Sequence, residues 1–325
     1  MPSEKTNEIV SIITPVYNGM NFIEKCFECI KNQTYTNIEW VVINDGSQDS
    51  TLLQLYKLKR KSIDLRIIDQ KNSGAAEARR VGALQAKGDY IVYLDIDDSI
   101  SADAIKLAMN KFTSQTNVVL FNQIKVGDQK SAPFDMFTQQ WPQSGENVFK
   151  ACIDGWGAHS FGVYKKSIFI NAYKILDTFE NLSKTYKDEL LSRIIFIQSE
   201  MIDLCEGKYF YDLNDASVSK KFNSEYFLIA NNAHALNSYL NSADKNINIE
   251  RMYSRLFFDI LGRYISWHKK INNKTDWFCT LIKLVKKISL KNDIKRSLKK
   301  STFKKLIART VFILTFKILA FVRRL

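Results

Sequence analysis

The chain has 325 residues, of which 46% are hydrophobic and 25% are charged, proportions that are typical of a folded globular protein and exclude collagen-like and disordered classes. The formal net charge is +13, but residues 281–325 alone hold ten Lys, four Arg and one acidic residue. The rest of the chain carries 33 basic and 33 acidic side chains. The positive charge therefore indicates a basic tail on a neutral main body.

Three features of the sequence bear on the compartment of the protein. The five cysteines are odd in number and follow no disulfide-framework spacing, which favours a reducing compartment. The N-terminal residues lack the basic and then apolar run of a signal peptide, and no stretch of about 18 uncharged apolar residues is present. We therefore expect a cytoplasmic protein without a membrane-spanning helix.

Strand and helix signals alternate along the first hundred residues. Strands are predicted from apolar, β-branched runs at residues 8–14, 38–43, 65–68 and 90–94. Helices are predicted between them at about 21–32, 49–58 and 73–87. Asp49 and Ser50 are good N-cap residues for the second helix, and Gly88 stands in the C-cap position of the third. Strands and helices joined by such short connections predict a mostly parallel sheet with helices on both faces.

Polar residues follow three of these strands. They are residues 14–18 (TPVYN), 44–47 (NDGS) and 95–98 (DIDD). In an open parallel sheet, ligands bind outside the carboxyl ends of the strands. The topology therefore predicts that residues about eighty positions apart meet in one site.

The aspartate cluster has the chemistry of a metal site. Asp95, Asp97 and Asp98 would repel one another without a cation, and oxygen ligands select Mg²⁺ or Mn²⁺. The alternative is that Asp97 and Asp98 are turn or helix-cap residues; their place after a buried strand favours the metal hypothesis. The chain has neither a G-x-G-x-x-G sequence after its first strand nor a P-loop, so a nucleotide would be held through a metal bridge.

The signals after residue 102 are mixed. We expect a helix at 102–112, a strand at 118–121 and polar, aromatic loops at 127–145 and 155–159. A further strand is predicted at 162–164 and a helix from near Tyr186, and the chain turns helical after Phe222.

Four segments together resemble the signature of family-2 glycosyltransferases. They are Ile9–Asn18 (IVSIITPVYN), Val41–Thr51 (VVINDGSQDST), Asn72–Arg79 (NSGAAEAR) and Gly88–Asp98 (GDYIVYLDIDD). The resemblance is dense over residues 8–110. It continues more weakly at Val163–Phe169, Lys187–Leu190 and Tyr209–Phe222.

The resemblance implies the GT-A fold, an α/β, Rossmann-like and mostly parallel sheet with helices on both faces, here with a C-terminal helical extension. It divides the chain into a nucleotide-sugar-binding half at residues 1–105 and an acceptor-binding half of the same catalytic domain at 106–225. Residues 226–325 form a helical C-terminal region with a basic amphipathic tail. The family is inverting and mostly takes UDP-sugars.

The resemblance also implies roles for individual residues in donor binding. Pro15 and Tyr17 line the base pocket, Asp45 accepts a hydrogen bond from a uracil-type ring, and Arg79 helps to bind the base. Asp97 contacts the ribose.

The same comparison implies a metal site and a catalytic base. Asp98 coordinates Mn²⁺ or Mg²⁺, which bridges the diphosphate, and Asp95 supports the metal site. Asp188 matches the catalytic base; the alternative from its position alone is a solvated carboxylate at a helix start, where a negative charge is favoured. Lys187 stands where the family usually has an acidic residue, so Glu189 remains a second candidate for the base.

We therefore expect an inverting glycosyltransferase, a hexosyl- or N-acetylhexosaminyltransferase of surface polysaccharide synthesis. It would transfer sugar from a nucleotide-diphosphate donor to a hydroxyl of a glycan or lipid-linked acceptor. A nucleotidyltransferase on a similar sheet and a non-catalytic membrane-associated binding protein are the alternatives.

The tail at residues 277–325 combines apolar and cationic positions at helical spacing. This pattern favours a helix that lies on an anionic membrane surface, at the inner face of the cell membrane. The alternative is a solvated basic helix packed on the body. No sequence motif supports nucleic-acid binding.

Overall fold

A computed structural model describes residues 8–59, 64–127, 131–183, 186–212, 222–289, 311–313 and 315–316. The chain divides into two compact units. The first comprises residues 1–152, 156–178 and 191–217, and the second comprises residues 153–155, 179–190 and 218–325. The first unit thus draws on both halves predicted for the catalytic domain, and the second takes in three segments ahead of the predicted boundary at residue 226, namely 153–155, 179–190 and 218–225.

The first unit is built on a sheet whose strands follow the order β3-β2-β1-β4-β9-β6-β10-β5, with β7 beside β6 and β8 beside β10. The strands are β1 (Val10–Val16), β2 (Ile38–Asp45), β3 (Asp64–Gln70), β4 (Tyr90–Tyr93), β5 (Ser99–Ile100), β6 (Thr116–Val126), β7 (Ala132–Pro133), β8 (Gln143–Ser144), β9 (Gly162–Lys165) and β10 (Met201–Asp212). The pairs β1–β2, β2–β3, β1–β4 and β6–β10 are parallel. Strand β9 runs antiparallel between β4 and β6, so it begins at the edge where β4 ends.

Helices pack along this sheet as the alternating pattern predicts. They are α1 (Ile23–Lys31), α2 (Thr51–Leu58), α3 (Ala75–Gln85), α4 (Ala104–Met109), α5 (Gly145–Ala151), α6 (Lys166–Leu176) and α7 (Lys187–Gln198). The prediction of Gly88 as a C-cap is wrong, because Ala86 caps α3. A Cβ atom at Gly88 would lie 2.4 Å from the carbonyl oxygen of Ile9, so this glycine permits a close approach to the chain before β1.

The core of the first unit explains why the early strands are apolar throughout. Every residue of β1 is buried, as expected for a central strand covered on both faces. Two buried side-chain hydrogen bonds join these strands: the indole nitrogen of Trp40 donates to Thr14 Oγ1 at 2.9 Å, and Ser11 Oγ donates to Glu39 Oε1 at 2.6 Å. These bonds fix β1 and β2, which carry the first two polar clusters.

The second unit contains a short 3-10 turn at Tyr226–Leu228 and the helices α8 (Ile229–Ser242), α9 (Glu250–Trp267) and α10 (Lys274–Lys286). Trp277 is fully buried, and its indole nitrogen donates to the carbonyl oxygen of Ser224 at 2.9 Å. Phe316 packs against the rings of Phe257 and Phe278.

The structure changes the prediction for the first part of the tail. Its apolar side chains are buried; they are Leu281, Ile282, Leu284, Val285 and Ile288. They stabilise the second unit and are not available to a membrane. Residues 290–310, 314 and 317–325 of the tail lie outside the described residues. Within the described part of the chain, no helix has the length and apolar character needed to cross a membrane.

Candidate active site

The loops after β1 and β2 are tied together at the carboxyl edge of the sheet. The backbone nitrogen of Asn18 donates to Ser47 Oγ at 2.9 Å, and the Asn18 side-chain oxygen accepts from the backbone of Gln48 at 2.8 Å. Asn18 has a φ of 49°, in the left-handed region that asparagine tolerates better than most residues. The convergence predicted for the first two polar clusters is therefore present.

Two residues predicted for the base pocket lie in this region. Pro15 is buried within β1, opposite Ile43 of β2. Tyr17 is 49% exposed at the start of the loop, so its ring is accessible to a ligand.

Asp45 is an anchor for the loop that leads into α3. Its Oδ1 accepts from Gln70 Nε2 and from the backbone of Ser73, and its Oδ2 accepts from the backbone of Gly74, each at 2.8 Å. Gly46 has a φ of 73°, and a Cβ atom there would lie 2.8 Å from the backbone nitrogen of Asn72. The assignment of Asp45 to the base stays a prediction; its contacts in the structure are to protein donors.

Arg79 and Asp95 form an ion pair beside the end of β4. Arg79 Nη2 lies 2.6 Å and 3.0 Å from the two carboxylate oxygens of Asp95. The guanidinium carbon lies 6.0 Å from the ring centre of Tyr93. A residue predicted to bind the base and a residue predicted to bind the metal are thus partners of each other.

Asp98 is the most deeply buried carboxylate of the cluster, at 2% exposure. Its Oδ2 accepts from the hydroxyl of Tyr209 at 2.6 Å, and its Oδ1 accepts from the backbone nitrogen of Asp212 at 2.9 Å. Burial and the nearby charge of Asp95 raise the pKa of the Asp98 carboxyl to about 7, although the two hydrogen bonds act in the opposite direction. The donors at the end of β10 therefore support a carboxylate that would otherwise be costly to bury.

Asp97 has a more open position in the same loop, where its side chain is half-buried. Burial and the charge of Asp95 raise the pKa of its carboxyl, with a smaller contribution from Asp212, while Lys25 acts in the opposite sense. Lys25 Nζ lies 3.7 Å from Asp212 Oδ2, an exposed pair. Asp97 therefore combines a raised pKa with a side chain that is more open than that of Asp98.

The donor set fits a hard divalent ion that is bound mainly by its substrate. Among the described residues, no group of three or more His, Cys, Asp or Glu side chains forms a ready-made metal site. Mg²⁺ and Mn²⁺ are commonly held by one or two carboxylates and completed by water and substrate phosphates. A loop with Asp97 half-buried and Asp95 beside it meets that requirement.

Asp188 and Glu189 belong to the second unit, in the first turn of α7. Asp188 is exposed, and its Oδ1 accepts from the backbone nitrogen of Glu189 at 3.0 Å. A carboxylate at this position also interacts favourably with the helix dipole. The structure thus places Asp188 on a solvent-accessible helix start, and its catalytic role stays a prediction.

The sequence interpretation missed Tyr209 and Asp212 as residues of the site. Asp212 is the last residue of β10, which runs parallel to β6. The clusters after β1, β2 and β4 are identified as polar residues at the carboxyl ends of parallel strands. Asp212 has the same kind of position, so the same rule applies to it. No signal in the sequence pairs Tyr209 with Asp98, because 111 positions separate them.

Replacing Tyr209 with Phe tests the support of Asp98. Removing a hydrogen bond to a buried charged group costs about 1–3 kcal/mol. Because the Asp98 pKa is raised to about 7, the carboxyl is largely protonated at pH 5 and charged at pH 8. We expect a larger loss of unfolding free energy at pH 8 than at pH 5, measured by urea denaturation in EDTA.

Tyr173→Phe is the matched control for Tyr209→Phe. The Tyr173 hydroxyl donates to the neutral carbonyl oxygen of Ala76 at 2.9 Å, so its loss should be equal at both pH values. A Tyr209→Phe loss that is also equal at both pH values would contradict the charged hydrogen bond.

Comparisons with known proteins agree with this geometry. Residues 11–171 match the sequence pattern of the family described as Glycosyl transferase family 2. The chain is similar to a chondroitin synthase of Pasteurella multocida, with 26% identity over 87% of this chain and 28% of that protein. It is also similar to a hyaluronan synthase of Pasteurella multocida, with 31% identity over 53% of this chain and 17% of that protein. The chain spans less than a third of the length of these relatives.

A solved structure shows the same fold. TarS residues 1–349 of S. aureus, in complex with UDP-GlcNAc, superpose with a TM-score of 0.64 at 19% identity, over 94% of this chain and 88% of that one. The strand order, the polar strand ends and the matched residues lead to one conclusion. Through residues 11–171 the chain belongs to glycosyl transferase family 2, and it has the GT-A fold.

Proposed function

We propose that the protein is an inverting glycosyltransferase that moves a sugar from a UDP-sugar to a hydroxyl group of a glycan or lipid-linked acceptor. The observation that carries the proposal is the loop at residues 95–98, which follows β4 and contains Asp97. Arg79 pairs with Asp95 of this loop, and Tyr209 donates a hydrogen bond to Asp98. The UDP-GlcNAc complex of the TarS neighbour and the chondroitin and hyaluronan synthases among the relatives support a nucleotide-sugar donor and a polysaccharide product.

The contacts of the loop favour a change in the roles of Asp97 and Asp98. Asp98 is buried and has two protein donors, which leaves Asp97 as the better candidate for the metal ion. Asp95 then contributes charge next to the metal while Arg79 holds its orientation. When bound, Mn²⁺ or Mg²⁺ neutralises the charge that develops on the leaving diphosphate.

The protein side of the reaction requires a base. Asp188, or Glu189 beside it, removes the proton of the acceptor hydroxyl as its oxygen attacks the anomeric carbon. Attack from the face opposite the leaving diphosphate in a single displacement inverts the anomeric configuration.

The two alternative functions are less well supported. A nucleotidyltransferase normally carries a glycine-rich phosphate loop after its first strand, whereas the loop after β1 is Tyr17-Asn18-Gly19. A non-catalytic binding protein would have no need for the buried carboxylate of Asp98, which is costly to maintain. Hydrolysis of UDP-GlcNAc, UDP-Glc and UDP-Gal, with and without Mn²⁺, separates the enzyme from the binding protein.

The basic tail remains the candidate for membrane attachment at the inner face of the cell membrane. Its support is now the composition of residues 290–325, which contain seven Lys, four Arg and one Asp. Basic residues near an anionic membrane surface contribute about 1 kcal/mol each.

Replacing Asp97 with Asn should remove the part of UDP affinity that depends on Mn²⁺, because the carboxylate assigned to the metal is lost. Calorimetric titration of UDP, with Mn²⁺ and with EDTA, measures that part. Asp103→Asn, an exposed change a few residues further along, is the control and should leave it intact. If Asp98→Asn abolishes the metal dependence while Asp97→Asn retains it, Asp98 is the metal ligand after all.

Replacing Asp188 with Asn should lower kcat for sugar transfer by about 10²–10⁴-fold, because general base catalysis is lost. The affinity for UDP should stay the same. Glu189→Gln is the matched variant and should lower kcat much less. The reverse order of the two losses would assign the base to Glu189, and small losses in both would refute a base at this helix start.

Replacing Lys299, Lys300, Lys304 and Lys305 with Gln should greatly weaken co-sedimentation with vesicles rich in phosphatidylglycerol, because four favourable charge interactions are lost. The matched control changes four exposed lysines of the first unit, Lys57, Lys59, Lys106 and Lys174. Equal sedimentation of both variants and the wild type would exclude an electrostatic role for the tail.

A further inference from the structure

The acceptor-side part of the first unit carries a group of accessible aromatic rings that donor binding does not use. They are Phe137, Trp141 and Trp156, which we name the aromatic platform. Phe137 is 40% exposed, and the two tryptophans are partly exposed. The rings of Phe137 and Trp141 meet edge to face at 5.8 Å, and the Phe137 backbone donates to the carbonyl oxygen of Gly157, next to Trp156, at 2.7 Å.

One ring of the platform, that of Trp156, packs against a buried cation. Arg193 of α7 is only 2% exposed, and its guanidinium carbon lies 4.3 Å from the ring centre of Trp156. Its Nε donates to the carbonyl oxygen of Cys152 at 3.1 Å. A desolvated guanidinium on an indole face is a strong contact. Trp156 is therefore held in one orientation rather than left as a mobile loop side chain.

The indole of Trp141 is also held in place. Its nitrogen donates to the carbonyl oxygen of Thr138 at 3.2 Å. Because the N–H group is already satisfied within the segment, a ligand would meet Trp141 through its ring surface. An exposed aromatic surface that is rigidly supported is a common feature of binding sites.

The surroundings of the platform are polar but mostly uncharged. They include Thr138, Gln139, Gln140, Gln143 and Asn147. The Gln143 amide donates to the carbonyl oxygen of Gln140 at 2.8 Å and accepts from the Asn147 amide at 3.2 Å. Glu146 and Lys150 pair with each other at 2.6 Å, which leaves Asp135 and Asp154 as the acidic exceptions in the neighbouring sequence. Aromatic faces beside amides and hydroxyls suit sugar rings, whereas an anionic lipid or polyanion would require cations.

The topology brings the platform segments to the edge of the sheet where the donor site lies. Phe134 and Phe137 follow β7, which pairs with the end of β6, and Trp156 lies in the segment that leads to the start of β9. The start of β9 lies at the edge where β4 ends and runs into Asp95, and the end of β6 extends past this level in the same direction. Phe161, just before β9, stacks on Tyr209 at 4.0 Å, and Tyr209 donates to Asp98.

We propose that Phe137, Trp141 and Trp156 form a subsite that binds uncharged sugar rings of the acceptor glycan by stacking. This subsite rests on the proposed glycosyltransferase function and adds to it the chemical class of the acceptor. It predicts an acceptor that presents neutral or N-acetylated pyranose rings, and it separates acceptor binding from the charged residues that bind the donor.

The test uses the full-length protein and defined tetrasaccharides. Neutral probes are β-1,4-linked N-acetylglucosamine, cellulose and α-1,4-linked glucose tetramers, and a hyaluronan tetrasaccharide is the charged comparator; binding is measured by saturation-transfer NMR and calorimetry. We expect saturable binding of a neutral probe, and a Kd about tenfold higher in Phe137→Ala, as for the loss of one aromatic contact. Tyr56→Ala, which removes a 51% exposed ring on α2, is the matched control and should bind like the wild type.

Several outcomes decide the proposal. Trp156→Phe keeps a ring above Arg193 and should bind more weakly than the wild type but more strongly than Trp156→Leu. Absence of saturable binding of every neutral probe by the wild type, or equal affinities in Phe137→Ala and the wild type, would overturn the subsite. A preference for the charged probe would do the same. UDP titration of the wild type is a separate measurement: UDP binding without glycan binding refutes the subsite alone, and glycan binding without UDP binding refutes the proposed function alone.

Discussion

The candidate site depends on the burial of one carboxylate. Asp98 is closed off from solvent, and the hydroxyl of Tyr209 and the backbone of Asp212 satisfy its oxygens. These contacts join the loop after β4 to the last residues of β10, more than a hundred positions further along the chain. Without the two donors the buried charge would be too costly, and the loop would have to open. Because Asp98 is fixed, the position of Asp97 relative to the sheet edge is fixed as well.

The carboxylates of this loop differ in how their charges are balanced. Arg79 neutralises Asp95, and Tyr209 supports Asp98 without a charge of its own. Asp97 and Asp98 both keep a raised pKa, caused first by burial and then by the charge of Asp95. A bound cation would therefore reduce the repulsion between the carboxylates of this loop. The neutral overall balance of residues 1–280 hides this local deficit, so net charge was no guide to it.

The parallel sheet, its helices and the three polar clusters could be predicted because buried strands of such a sheet are apolar throughout and their ends converge. The pairing of Arg79 with Asp95 and the burial of Asp98 could not, since they depend on side-chain packing between distant segments. Strand β5 has only two residues, too few for a periodic signal, whereas the strand predicted at 162–164 is confirmed as β9. The apolar positions of α10 have the same spacing whether they face a membrane or a protein core, and Trp277 and Leu281 proved to lie in the core.

The antiparallel course of β9 has a consequence for how such a protein can diversify. Strand β9 enters the sheet from the edge where β4 ends. The chain between β6 and β9 therefore begins and ends at the donor-site edge, and it adds no residue to β1, β2 or β4. The register of β1, β2 and β4 therefore does not depend on residues 127–161, although buried residues of this segment such as Val148 and Phe149 must keep a similar volume in any exchange. The arrangement resembles an interchangeable cassette between two fixed strand ends. Under the proposed function, grafting this segment between related chains is a route to proteins that share a donor and differ in their acceptor.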